Sequence, residues 1–247
     1  SLIDILFFYF LQKIILFYKF VPIADPETVM HWQRHLCERL NLRGRILISV
    51  HGINGTLGGG IEDVKAYIKE MNKHHVMKKI TYKWSDGHRD DFPKLKVKVK
   101  SEIVAFGAPD EITVDEHGVT NGGIHLKPEQ VNELVAQYGD DVIFYDGRNE
   151  YEAKIGKFKN AIVPPIKTSK EFINDIENGE ISKHKDKPIV TYCTGGIRCE
   201  ILSAMMKNRG YEKVYQVDGG IAKYGEKYGS KGLWEGNMFV FDGRMRM

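Results

Sequence analysis

Residues 188–204 read PIVTYCTGGIRCEILSA, and the rest of the chain is best understood outward from them. Residues 188–193 form a short, almost continuously apolar run, the pattern of a strand buried on both faces as in a parallel sheet. That strand would deliver Cys193 to its carboxyl end, residues 194–198 would turn tightly, and a helix is expected from about Cys199 to Arg209. Gly210 would stop it as a left-handed residue. Open α/β sheets place their sites at this edge. Gly195 and Gly196 let successive backbone N–H groups turn inward, making an anion-binding concavity that the helix N-terminus reinforces. Arg198 adds a full positive charge, so the loop should favour a thiolate at Cys193.

Magnitudes decide what must hold that thiolate. Lowering a thiol from about 8.5 to about 6.5 requires about 2.7 kcal/mol, whereas a helix terminus supplies ~0.3–1 kcal/mol. Direct N–H hydrogen bonds to sulfur, helped by Arg198, are expected to make up the difference. The bland alternative is a cysteine packed under a turn. The combination of strand, paired glycines, arginine and following helix favours the catalytic reading.

Residues 142–145 and 214–217 repeat the buried-strand pattern, and helical segments lie between, including 128–137 and one opened by Thr168 with Glu171 as a capping box. The second half therefore reads as an α/β domain with a parallel sheet, placed at 127–228, followed by a carboxyl-terminal tail, 229–247, whose Trp234, Phe239 and Phe241 suggest packing. The first half differs. Residues 14–21 read as a strand, and Asp25, Pro26 and Glu27 open a helix carrying Val29, Trp32, Leu36 and Leu40 on one face. Residues 45–50 read as the next strand. A glycine-rich turn, 51–60, then leads to a helix with Ile61, Val64, Ile68 and Met71 at helical spacing. Strands at 79–84 and 95–100 complete a small α+β sandwich over residues 13–113, and residues 114–126 are the expected linker.

A length of 247 residues suits two such domains. The 36 Lys and Arg against 33 Asp and Glu leave +3, so any nucleic-acid reading must rest on local clustering. Three cysteines without CxxC spacing indicate neither a disulfide framework nor a zinc ribbon, and a reducing, cytoplasmic setting is expected. Residues 1–12 are an apolar extension of unknown role. Asp4 and Lys13 bound a stretch far shorter than the ~20 residues of a spanning helix, so no membrane segment is expected.

The loop Cys193-Thr194-Gly195-Gly196-Ile197-Arg198 resembles that of rhodanese domains, whose active cysteine opens a short loop of backbone donors. Asp146-Gly147-Arg148-Asn149, then Tyr151-Glu152, Gly156, Phe158 and Ala161-Ile162, resembles the upstream rhodanese signature, and Gly219-Gly220-Ile221 the segment after its last strand. A related phosphatase class has a loop one residue longer, so the spacing points away from phosphate-ester hydrolysis. The longer string from Cys193 through Cys199 to Glu200 is similar to the rhodanese-domain tRNA uridine hydroxylases, the UPF0176-like family. So are Gly44-Arg45-Ile46-Leu47, Gly52-Ile53-Asn54-Gly55-Thr56, Ser85-Asp86-Gly87-His88, Glu102-Ile103-Val104 and Phe239-Val240-Phe241-Asp242. The similarity runs from about Lys13 to Arg244. It implies a ferredoxin-like (acylphosphatase-like) α+β domain ahead of the rhodanese domain, and 5-hydroxylation of the wobble uridine, U34, of tRNA. It further implies molecular oxygen as co-substrate, Cys193 as the essential residue and the tRNA anticodon arm as partner. Lys157, Gly147 and Ile201 depart from frequent family residues without touching Cys193 or Arg198.

Two alternatives stand beside this: a sulfurtransferase carrying a persulfide on Cys193, and a non-catalytic RNA-binding module. Asp146 and Arg148 are read as loop braces. Cys199 either resolves an oxidised Cys193 or simply occupies the first helical turn. Lys94, Lys96, Lys98 and Lys100 alternate with Leu95, Val97 and Val99, giving a lysine row that suits tRNA phosphates or a solvated edge strand. Arg89 and His88 are weaker RNA candidates. The glycines at 52, 55 and 58–60 match neither GxGxxG nor a P-loop. His31 and His35 lack the HExxH acid, so a solvated helix face is the reading. No metal site and no cofactor is visible in the sequence.

Overall fold

A computed structural model describes residues 2–238, with side chains for all of these except 7–10. The described residues divide into two units, 2–103 with 114–118, and 104–113 with 119–238. Residues 104–113, expected in the first domain, and 119–126, expected as linker, thus pack with the second unit. Phe239 and Phe241 lie outside the described residues.

In the first unit α1 (Leu2–Phe10) precedes β1 (Gln12–Phe20), α2 (Pro26–Arg39), β2 (Arg43–Ser49), β3 (Gly52–Gly60), α3 (Ile61–Lys73), β4 (Lys83–Asp86) and β5 (Leu95–Val99). The extension that carried no assigned role is helical, with Leu2, Ile3, Ile5 and Leu6 exposed. The sheet order is β4-β1-β3-β2-β5, antiparallel except for the β2–β5 pair. Asp25 caps α2 by accepting from the Thr28 N–H at 3.1 Å. Met30, Leu36 and Cys37 of α2 and Val64, Tyr67 and Met71 of α3 meet Ile15, Phe17, Ile46, Ile48, Ile53 and Leu57 of the sheet. Trp32 and Leu40 border that core.

The 51–60 reading is corrected: most of it is a nine-residue strand between β1 and β2 rather than a turn. Neighbouring bulk replaces its missing side chains. A Cβ on Gly55 would lie 2.3 Å from the Phe17 ring, and one on Gly59 2.5 Å from Leu42. Likewise the strand expected at 79–84 is corrected: it starts only at Lys83, and Lys79, left-handed at φ 64°, cannot belong to it.

After β5 come the two-residue strands of a hairpin, β6 (Val114–Asp115), in the first unit, and β7 (Gly118–Val119). Then come β8 (Ile124–Leu126), α4 (Pro128–Tyr138), β9 (Ile143–Asp146), α5 (Glu150–Ala153), β10 (Gly156–Phe158) and α6 (Phe172–Asn178). The chain continues through β11 (Pro188–Tyr192), α7 (Ile197–Asn208), β12 (Lys213–Val217), α8 (Gly220–Tyr228) and β13 (Trp234–Gly236). The main sheet, β8-β12-β11-β9, is wholly parallel, as the apolar runs predicted. β11 is buried at all five positions. Glu171 accepts from the Thr168 N–H at 2.9 Å, but one 3₁₀ turn precedes α6. Trp234 packs edge-on against Phe158 and Tyr192, so the described part of the tail closes the core. Among the described residues no helix is long and apolar enough to cross a membrane.

Candidate active site

Cys193 follows β11 directly, and α7 begins at Ile197, two residues earlier than expected. The turn depends on Gly196 at φ 99°, a left-handed conformation costly for other residues. Its N–H donates to Cys193 Sγ at 3.1 Å. Gly195 is exposed, and a Cβ there would meet nothing within 4 Å, so only one of the two glycines is needed for backbone shape. From the far side, the Ile221 N–H donates to Cys193 O at 2.9 Å and the Ala222 N–H to Thr194 O at 3.2 Å. A Cβ on Gly220 would lie 2.3 Å from Thr194 O, which explains a glycine at the start of α8. That support was missed as part of the site.

Burial alone would raise the Cys193 thiol, which is 1% exposed. The Cys199 thiol, the Arg198 charge and the N–H groups of Cys199 and Gly196 outweigh it and bring the value down to about 6. Cys199 moves the opposite way: burial and the neighbouring thiolate push it well above the ordinary range. Thr191 Oγ1 lies 3.7 Å from Cys199 Sγ. The two thiols are thus shifted in opposite directions, and ionisation is favoured at Cys193 over Cys199. The sulfur expected to be reachable is instead covered, so substrate contact requires the covering atoms to move.

Arg198 is not a free cation. Its Nη1 and Nη2 donate to Glu152 Oε2 and Oε1 at 2.8 and 3.0 Å, a fork-to-fork pair. Glu152 is 2% exposed and also accepts from the Asn149 N–H at 3.0 Å and Thr194 Oγ1 at 3.3 Å. Burial would raise this carboxyl, but Arg198 and the Asn149 N–H hold it below the usual range. Glu152 belongs to the upstream signature, but its partner lies 46 positions away, so sequence spacing gives no signal of the pair.

Asp146 and Arg148 are fully buried as a second fork: Nε donates to Oδ1 at 2.9 Å and Nη2 to Oδ2 at 2.8 Å. Tyr192 Oη donates to Asp146 Oδ2 at 2.9 Å, and Arg148 Nη2 reaches Gly156 O at 2.7 Å. These bonds fix the ends of β9 and β11, the base from which the loop springs. Gly147 fits because a Cβ would lie 2.9 Å from Tyr192 O. Ile201 is 3% exposed within α7.

The RNA candidates lie in the first unit. Lys94, Lys96, Lys98 and Lys100 are exposed, as alternation predicted. The β2–β5 register sets exposed Arg45 opposite Lys96, a neighbour that sequence spacing did not reveal. Arg89 is committed locally, its N–H donating to Gln12 Oε1 at 2.8 Å and Nη1 lying 3.3 Å from Asp90. His31 and His35 are exposed on α2. Among the described residues no group of three or more His, Cys, Asp or Glu is placed to hold a metal ion.

Comparison with known proteins matches both halves. Residues 12–103 fit the UPF0176 acylphosphatase-like domain and residues 127–227 the rhodanese-like domain. A protein of Corynebacterium glutamicum strain R named tRNA uridine(34) hydroxylase is 63% identical over 96% of this chain and 76% of its own. Its namesake from Corynebacterium jeikeium is 64% identical over 95% of this chain and 76% of its own, and that of Corynebacterium kroppenstedtii 56% identical over 96% and 80%.

Proposed function

The chain belongs to the family of tRNA uridine(34) hydroxylases, and from that premise we propose that it places a hydroxyl on C5 of the wobble uridine of tRNA, in an oxygen-dependent reaction at Cys193. The observation that carries this reading is the Cys193 sulfur at the end of β11, accepting the Gly196 N–H at 3.1 Å in a loop that also carries Arg198, an arrangement that lowers the thiol. These donors favour the thiolate, the nucleophilic form. In the proposed sequence the thiolate adds to C6 of the uracil, which makes C5 electron-rich enough to take an oxygen atom from O2. Loss of the C5 proton and departure of the thiolate then restore the ring. The second oxygen atom leaves as water, reduced by two electrons from an external donor. Residues 194–199 hold the anionic sulfur before attack and after release. Arg148 and Asp146 keep the strand ends in place, and the lysine row with Arg45 supplies phosphate contacts.

The test is nucleoside mass spectrometry of tRNA from cells lacking the gene, complemented with wild type or Cys193→Ser. Wild type should restore 5-hydroxylated U34 and Cys193→Ser should not. Restoration by the serine variant, or unchanged U34 in the deletion, overturns the proposal. A persulfide on Cys193 is the rival chemistry, and sulfur transfer from thiosulfate to an acceptor, without hydroxylation, would establish it.

A further inference from the structure

On the helical side of the first unit, three aromatic rings lie in one stack. The Trp32 ring, on α2, parallels His74 with centroids 4.6 Å apart and planes at 20°. His74 in turn parallels the next residue, His75, at 4.8 Å and 20°. Trp32 and Val76 pack against the hydrophobic core, so the inner end of the stack is anchored, while His75 is exposed. The Val76 N–H donates to His74 Nδ1 at 3.2 Å, which requires that nitrogen to be unprotonated. Burial and His75 also lower the His74 value, keeping the middle ring neutral. The two imidazole planes are nearly parallel, so their nitrogen lone pairs do not converge on one metal ion.

Beside the stack three lysines crowd together. Lys19 Nζ donates to Val76 O at 2.7 Å and Lys78 O at 2.9 Å, tying down the loop that carries both histidines. Burial and the charges of Lys78 and Lys79 lower Lys19. Lys79 is held in a left-handed conformation, its N–H donating to Asn72 Oδ1 at 3.2 Å. Among the described residues no carboxylate is ion-paired with Lys19, Lys78 or Lys79. Like charges gathered without a counter-charge disfavour the free protein and favour an anionic ligand. A flat ring surface beside an unneutralised cationic rim matches a nucleotide, whose base stacks and whose phosphate carries the charge.

We propose that the Trp32–His74–His75 stack with Lys78 and Lys79 is a binding site for an unpaired nucleotide of RNA, its base on the face of His75 turned away from His74. This rests on the tRNA reading above and adds a contact point on the first unit, separate from the lysine row of β5. The site is sequence-tolerant, because every base offers a ring face and no base-edge partner is built in.

The experiment measures binding of full-length protein to fluorescein-labelled oligouridylate and to tRNA from cells lacking the gene, over a range of salt. Wild type is compared with His75→Ala, His75→Tyr and the double variant Lys78→Ala/Lys79→Ala, all checked for unchanged melting. Loss of one stacked base weakens binding about fivefold or more. His75→Ala should show that loss, and His75→Tyr should restore affinity. The double lysine variant should flatten the logarithmic salt slope by about 1.4, two phosphates at ~0.7 each on single strands. Affinity of His75→Ala within twofold of wild type, or failure of tyrosine to restore it, overturns the site. U34 hydroxylation by wild type is followed in parallel. Active wild type with an unaffected His75→Ala rejects this site alone, whereas wild type that neither binds nor hydroxylates tRNA rejects the functional reading beneath it.

Discussion

Replacing Cys199 with alanine should raise the Cys193 value without unfolding the loop. The Cys199 thiol is the foremost group opposing the burial that would otherwise keep Cys193 protonated. A hydrogen bond to a charged acceptor is worth about 1.5–3 kcal/mol, or roughly 1–2 pH units at ~1.36 kcal/mol each. The midpoint should therefore move from about 6 to roughly 7–8. Thiolate absorbance at 240 nm reads it directly, and the window is clear. Cys37 is pushed up to about 12 by burial, and Cys199 is raised well above the ordinary range. Cys199→Ser, which keeps a donor, should titrate close to wild type. Because the folded value of Cys193 is depressed, its ionisation stabilises the fold above the ordinary thiol range. That contribution should fade as pH falls through about 6. If Cys199→Ala titrates like wild type, or serine shifts the midpoint as far as alanine does, Cys199 is not the donor assigned here.

Gly196→Ala forces an ordinary residue to φ 99° and draws an N–H away from Sγ; it should cost ~1–2 kcal/mol in urea denaturation and raise the same 240 nm midpoint. Glu152→Ala strands the buried Arg198 guanidinium, so a loss of about 3–5 kcal/mol is expected on chemical unfolding, with Glu152→Gln losing less. His125 Nε2 lies 2.7 Å from Glu200, and that bond raises its value despite partial burial. A raised histidine stabilises most below its ordinary range and stops doing so as pH rises through its folded value, so the melting temperature of His125→Gln should differ from wild type more at pH 5.5 than at pH 8.5, roughly one unit below and two above the ordinary histidine value. Gly55→Ala drives a Cβ into the Phe17 ring, and should yield a destabilised protein by circular dichroism.

The loop was legible because its chemistry is contiguous: strand, cysteine, glycines, arginine and helix follow one another within residues 188–204, and each leaves a local mark. The parallel sheet was legible for the same reason, since β11 is apolar along its length and buried throughout. What escaped depends on distance or on absent side chains. Glu152 reaches Arg198 across 46 positions. β3 lacks the alternation by which strands are recognised, because Phe17 and Leu42 occupy the space its glycines leave empty. Arg45 joins the lysine row only through the β2–β5 register. The covering of Cys193 also left no trace in the string, which shows a strand end but not what packs over it. Lysine alternation on β5, by contrast, told the exposed face correctly from period alone.

Oxygen-18 gas offers the decisive measurement. Purified wild type and Cys193→Ser are incubated with tRNA from cells lacking the gene, with a reductant present, and the digested nucleosides are weighed by mass spectrometry. Wild type should yield 5-hydroxyuridine at position 34 carrying one heavy oxygen from the gas, and Cys193→Ser should yield none. Product formed by the serine variant, or a hydroxyl whose oxygen comes from water, contradicts a thiolate at Cys193 working with molecular oxygen.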